Sequence, residues 1–281
     1  MSEEEKIVDL DGAFDKRVAE YLSKKKGKFS EEEWEDKISA FYKAYGDARI
    51  ESLGATPNEY YKKMPSDVLS RVLREHFRRG VPVDGFLRRA LEEAKNRSVL
   101  LSLLDGENDE EISFAVDLLG DAEDAREKYY DLLSREIGDA LAERIAETLR
   151  ENAADNKAFA LRLYKSGKRR EIALDLLCRT YPPDDEVFSI LVDSFSQGTS
   201  PRGAAAERLG TYGDERALSV LRRQAAREDV GYLEWREMSA AAQALGGELP
   251  ARDFSRDKDF LALRREEERR QKERESRLRG E

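Results

Sequence analysis

Apolar positions along this chain fall into short helical phrases separated by turn-forming residues, and between Leu91 and Pro250 one phrase recurs. A leucine near the end of each first helix of a hairpin marks the repeat: Leu91, Leu119, Leu149, Leu177, Leu209 and Leu245, spaced by 28, 30, 28, 32 and 36 residues. The clearest copies are residues 114–126 (FAVDLLGDAEDAR), 204–217 (AAAERLGTYGDERA) and 239–246 (SAAAQALG). Each reads as a helix closed by glycine, with Gly120, Gly210 and Gly246 expected in the left-handed C-cap conformation that other residues avoid. Asp124 and Asp214 are expected at or near the next N-cap. The runs Ala204–Ala206 and Ala240–Ala242 allow close helix approach. A two-helix unit of this kind exposes an apolar face that only a stacked neighbour can cover.

The second helices carry their own pattern. Ala125 with Tyr129, Phe159 with Leu163, Val187 with Leu191 and Ala217 with Leu221 are four apart, so each pair points in one direction, here taken as the core. The positions one residue later are rotated by about 100° and flank a groove. They are Arg126 with Tyr130, Ala160 with Tyr164, Phe188 with Val192, and Leu218 with Arg222. Arg126, Tyr130, Tyr164, Phe188, Val192 and Arg222 are the predicted partner-binding residues, since aromatics and Arg are enriched at interface hot spots.

The phrase resembles the short HEAT-like repeats of phycobilin-lyase-related proteins over about residues 84–250. The copies near Leu91 and Leu149 depart from it in lacking the terminal glycine. The resemblance implies an all-α fold: a right-handed α-α superhelix (HEAT-like α-solenoid) with an N-terminal helical cap and a charged C-terminal helix. The boundaries expected are 1–83 for the N-terminal helical region, 84–250 for the array and 251–281 for the tail. Chromophore lyases and a family of alkylpurine DNA glycosylases share such repeats, so a lyase-like or glycosylase-like protein is the alternative to a scaffold.

In the N-terminal region, Ser30 with Glu33 makes a capping box ahead of Trp34, Ile38, Phe41, Tyr42 and Tyr45. Thr56 with Glu59, around Pro57, opens a short helix, and a further helix is predicted over 66–79, stopped by Gly80. Trp34, Phe41 and Tyr45 are expected to bury against the first repeats. Arg71, Arg74, Arg78 and Arg79 admit a helix-turn-helix reading, although no recognition motif accompanies them. The basic run Lys24–Lys28 meets Glu31–Glu33 almost at once and reads as a solvated helix end. In the tail, Glu266 with Arg270, Glu268 with Lys272, Glu273 with Arg277 and Glu275 with Arg279 stand four apart in the order that supports an exposed helix.

Charge sharpens the picture. The net charge is −10, and the array carries it: residues 105–155 hold 17 acidic and 5 basic side chains. That field repels a phosphate backbone and attracts a basic partner. Catalytic chemistry has little to build on. His76, the single histidine, sits on an apolar stripe, and Cys178, the single cysteine, has no basic neighbour at helical spacing. Residues 105–111 lack the glycine and glutamate of a calcium loop, and residues 166–170 lack the frame of a phosphate loop. Trp235 reads as packing within a first helix. No catalytic residue, metal site or cofactor is assigned. The sequence shows no membrane span and no signal peptide, and a cytoplasmic location is expected. The function expected is a non-catalytic scaffold for a protein or peptide partner, basic by the sign of the array, with nucleic acid disfavoured.

Overall fold

The computed structural model of the chain describes residues 7–24 and 29–279. Among them the fold is all-α, with helices packed in neighbouring pairs and one isolated bridge between Ile50 and Ala55. The chain divides into two compact units, Met1–Thr148 and Leu149–Glu281. The first holds α1 (Leu10–Lys24), α2 (Glu31–Asp47), α3 (Pro57–Tyr60), α4 (Ser66–Arg79), α5 (Gly85–Leu91), α6 (Arg97–Leu103), α7 (Asp109–Leu119), α8 (Glu123–Leu133) and most of α9 (Asp139–Arg150). The second holds the end of α9 and α10 (Lys157–Ser166), α11 (Arg170–Leu177), α12 (Asp185–Gln197), α13 (Arg202–Tyr212), α14 (Ala217–Ala225), α15 (Tyr232–Ala244) and α16 (Lys258–Arg279).

In the first unit the N-terminal helices start as their caps dictate. The Ser30 hydroxyl accepts the Glu33 N–H, and the Glu33 carboxylate accepts the Ser30 N–H at 2.8 Å. The Thr56 hydroxyl likewise accepts the Glu59 N–H, with Pro57 opening α3. Helix α4 covers the predicted 66–79 and ends on left-handed Gly80. The basic run Lys24–Lys28 lies outside the described residues except for its first member.

The aromatic row of α2 packs differently from expectation. Helix α1, which the sequence reading did not anticipate, intervenes with a stripe of Leu10, Phe14, Val18 and Tyr21 at one-turn spacing. Tyr21 meets the Trp34 ring edge-on at 6.1 Å and the Phe41 ring at 5.0 Å, leaving Phe41 42% exposed. Only Tyr45 is buried as expected, between Phe14 and Phe86 of α5, while Tyr42 stacks on Phe86.

Polar contacts bind the start of α1 to the start of α5. Asp84 is the N-cap of α5, its carboxylate accepting the Phe86 and Leu87 N–H groups at 2.9 Å each. Tyr61 donates to the same carboxylate at 3.0 Å and shares its hydroxyl hydrogen with the Val8 carbonyl at 3.1 Å. Asp11 accepts the Gly85 N–H and the Tyr42 hydroxyl, both at 2.9 Å. Asp84 is 1% exposed, and desolvation lifts its carboxyl above the usual range against the pull of these donors.

All six marker leucines are buried, Leu91 and Leu119 in the first unit and the other four in the second. Each stands in the last turn, at the end or at the C-cap of α5, α7, α9, α11, α13 or α15. The second-helix pairs, Ala125 with Tyr129, Phe159 with Leu163, Val187 with Leu191 and Ala217 with Leu221, are buried too. A full Leu burial is worth about 2 kcal/mol, so the recurring positions form the core.

Ion pairs repeat at nearly the same spacing. In the first unit Arg97 meets Asp124 at 2.6 Å and Arg144 meets Asp117 at 2.5 Å, each 27 residues apart. In the second, Arg150 pairs with Asp175, Lys157 with Asp184, Arg216 with Asp185 at 2.7 Å and Arg202 with Glu234 at 2.8 Å. Such exposed or half-exposed pairs are worth about 0–1 kcal/mol each, so they set register more than stability.

First helices close in three ways. Gly213 and Gly246 have positive φ, Gly213 in the left-handed conformation, whereas Gly120 combines φ 56° with ψ −155° and so departs from the left-handed C-cap expected of it. The two copies without a terminal glycine use a buried asparagine instead: the Asn96 amide donates to the Ala90 carbonyl at 2.7 Å, and the Asn156 amide to the Leu149 carbonyl at 2.8 Å. After α11, the buried Thr180 hydroxyl donates to the Leu177 carbonyl at 2.8 Å.

Two local expectations are corrected. Gly210 lies within α13, which runs to Gly213; its role is close approach, since a Cβ there would stand 3.0 Å from the Ala241 Cα on α15. Asp124 is not the cap of α8: the N-cap is Ala122, and Asp124 sits in the first turn where Arg97 holds it. Trp235 is half-buried and its ring meets Phe254, which follows α15, with centroids 5.5 Å apart. Phe254 and Phe260 both meet Tyr232, and Asp257 accepts the Tyr232, Asp259 and Phe260 N–H groups, which fixes the start of α16 against α15. Farther along α16, Glu266 pairs with Arg270 at 2.6 Å as expected and Glu273 meets Arg269 at 3.9 Å; the expected pairs of Glu273 with Arg277 and Glu275 with Arg279 involve side chains outside the described residues.

Candidate protein-interaction surfaces

In the first unit the acidic stretch is only partly neutralised from within. Three of its four cations are engaged, Arg126 with Asp121 at 3.0 Å, Lys128 with Asp105 at 2.5 Å, and Arg144 with Asp117, while Arg135 is exposed. Among the described residues the side chains of Glu107, Glu110, Glu123, Asp131 and Glu136 are exposed and make no ion pair. The loop 105–111 serves α7, whose N-cap Asn108 accepts the Glu110 and Glu111 N–H groups.

The predicted partner-binding residues are largely committed within the chain. Arg126 is held by Asp121, whose side chain is almost wholly covered, and Tyr130 is half-buried on α8. In the second unit the Arg170 guanidinium lies 4.9 Å from the Tyr164 ring centre and donates to its hydroxyl at 2.8 Å. Arg216 covers the half-buried Phe188 ring at 4.3 Å. Val192 is half-buried, and Arg222 is exposed but donates to the Glu248 carbonyl at 3.1 Å. Of the residues paired with them, Ala160 is fully buried and Leu218 lies against Gly247. Helix α12 begins on three consecutive acids, each holding a cation: Asp184 with Lys157, Asp185 with Arg216, and Glu186 with Lys165 at 2.8 Å. Burial raises the Asp184 carboxyl, but the Lys157 and Val187 hydrogen bonds outweigh it and the net shift is downward.

A surface that sequence reasoning missed lies between α13 and α15. A groove of about 470 Å³ is lined by Gly203, Ala204, Glu207, Gly210 and Thr211 on one helix and Glu237, Ala240, Ala241 and Ala244 on the other. The signal was present in the alanine runs, which read only as helix contacts. Ala205, Ala206, Ala241 and Ala242 are indeed buried, but Ala240 and Ala244 face outward. Glu207 and Glu237 are exposed and make no ion pair among the described residues. Nearby acids do: Glu171 with Arg208 at 2.9 Å and Glu234 with Arg202.

The groups with catalytic potential are occupied structurally. His76 is fully buried, with Nδ1 3.0 Å from the Pro82 carbonyl. Burial pushes the Cys178 thiol up to about 12, so it stays protonated and unreactive at neutral pH. On α4, Arg78 and Arg79 clamp Glu75, whose carboxyl is drawn down to about 2, first by the Arg78 hydrogen bond, and Arg71 meets Asp67 at 3.0 Å. Among the described residues no three His, Cys, Asp or Glu side chains cluster as a metal site, and no helix is long and apolar enough to cross a membrane. No family model, curated protein or solved structure matches the chain.

Proposed function

We propose that the chain is a non-catalytic HEAT-like helical-repeat scaffold that binds a basic protein or peptide. The observation that carries this reading is the imbalance of partnered and unpartnered charge in the acidic stretch. Arg126, Lys128 and Arg144 are engaged by internal carboxylates, while among the described residues five acids, Glu107, Glu110, Glu123, Asp131 and Glu136, face solvent without an ion pair against one such cation, Arg135. Such a surface steers cationic segments toward it and repels polyphosphate. The engagement of Arg71, Arg78 and Arg79 by acids on their own helix favours this reading over docking of α4 in a DNA groove.

Fluorescence anisotropy with two labelled amphipathic helical peptides tests it. One carries Lys on its polar face and the other Glu at the same positions. The lysine peptide is expected to bind at least about tenfold more tightly, a difference of about 1.4 kcal/mol. Equal affinities, or preference for the glutamate peptide, would overturn the reading.

A further inference from the structure

The groove between α13 and α15 has a geometry of its own. Its lining positions 203, 204, 207, 210 and 211 on α13, and 237, 240, 241 and 244 on α15, follow helical spacing for about two turns, a length of roughly 12 Å at 1.5 Å per residue. Gly210, Ala204, Ala240, Ala241 and Ala244 give it a floor of small residues, Thr211 lines it as well, and the Glu237 carboxylate lies over Gly203. Helices whose contact side chains are that small approach to about 8 Å between axes. The groove therefore runs the length of two turns of a third helix, and no residue of α16 lines it.

Charge selects among helices. Glu207 and Glu237 contribute one unpaired carboxylate from each wall, although Glu234, the other acid of α15, has found a cation in Arg202. An anionic helix is repelled, and a neutral apolar one leaves both carboxylates without a counter-charge. Lys and Arg are suited to this place because their aliphatic stems lie along an alanine floor while their heads reach out to a carboxylate. We infer that this groove is the docking site for an amphipathic α-helix of a partner protein, which sets small and aliphatic residues on the Ala240–Ala244 floor and places Lys or Arg against Glu207 and Glu237. The inference rests on the reading of the chain as a scaffold for a basic partner and gives that partner a seat.

The test uses the full chain and the lysine peptide described above. Ala240→Trp fills the groove from an exposed position, and Glu207→Gln with Glu237→Gln removes the charge without adding bulk. Each is expected to weaken peptide binding about tenfold or more with an unchanged melting temperature. Wild-type binding that survives both groove variants overturns the groove while leaving the scaffold reading in place. Failure of the wild-type chain to prefer the lysine peptide overturns both. If Ala240→Trp lowers the melting temperature, the Glu→Gln pair decides: undiminished binding in that variant overturns the inference.

Discussion

Asp84 shows how one residue serves capping and burial at opposing electrostatic cost. Its carboxylate satisfies two N–H groups of α5 and the Tyr61 hydroxyl, yet it is buried, and desolvation raises its pKa. A carboxyl raised in the folded state adds stability that is complete below its unfolded pKa and is lost as pH rises through the folded value. Asp84→Asn keeps an oxygen for the N–H groups and leaves Tyr61 free to donate to Val8, but abolishes the titration. Relative to wild type, the Asn variant is therefore expected to gain stability as pH rises from about 4 toward neutrality, a trend that urea unfolding at several pH values reads directly. Asp84→Ala should lose about 1–2 kcal/mol for the missing cap. At Gly210 the constraint is steric: an added methyl meets the backbone of α15, and Gly210→Ala is expected to destabilise by about 1–3 kcal/mol in thermal or urea unfolding. A neutral result there would show that α13 and α15 can separate without penalty.

At the scale of the element, hydrophobic spacing and helix caps made most of the fold legible. The leucine register, the Ser30 capping box and the bounds of α4 follow from short-range rules that act within one or two turns. What escaped was non-local. Helix α1 carries a stripe interrupted by charged residues, and nothing within it says that Tyr21 will cover Trp34 and Phe41. Gly210 and Gly213 both lie near the end of α13, and only the neighbouring helix distinguishes a close-approach glycine from a cap. Nor did the missing glycines after Leu91 and Leu149 reveal that Asn96 and Asn156 would take their place. Those asparagines predict a contrast. Asn96→Ala or Asn156→Ala leaves a buried carbonyl without its donor and should cost about 1–3 kcal/mol in urea unfolding. Asp124→Asn, which weakens only the exposed pair with Arg97, should cost no more than about 1 kcal/mol.

On the scale of the whole molecule, the charge distribution legible in the sequence is what the proposal of a basic partner rests on. The predicted ladder of Tyr164, Phe188 and Arg222 is engaged by Arg170, Arg216 and the Glu248 carbonyl, a use of cations over aromatic rings that spacing alone does not disclose. The groove between α13 and α15 depends instead on which alanines of a run face outward. The most direct measurement of the central claim is the salt dependence of binding, with the lysine peptide and a DNA duplex titrated against the full chain at about 50 and 200 mM salt. The account predicts measurable peptide binding that weakens as salt rises and no duplex binding at either concentration. Duplex binding tighter than peptide binding at low salt would contradict it.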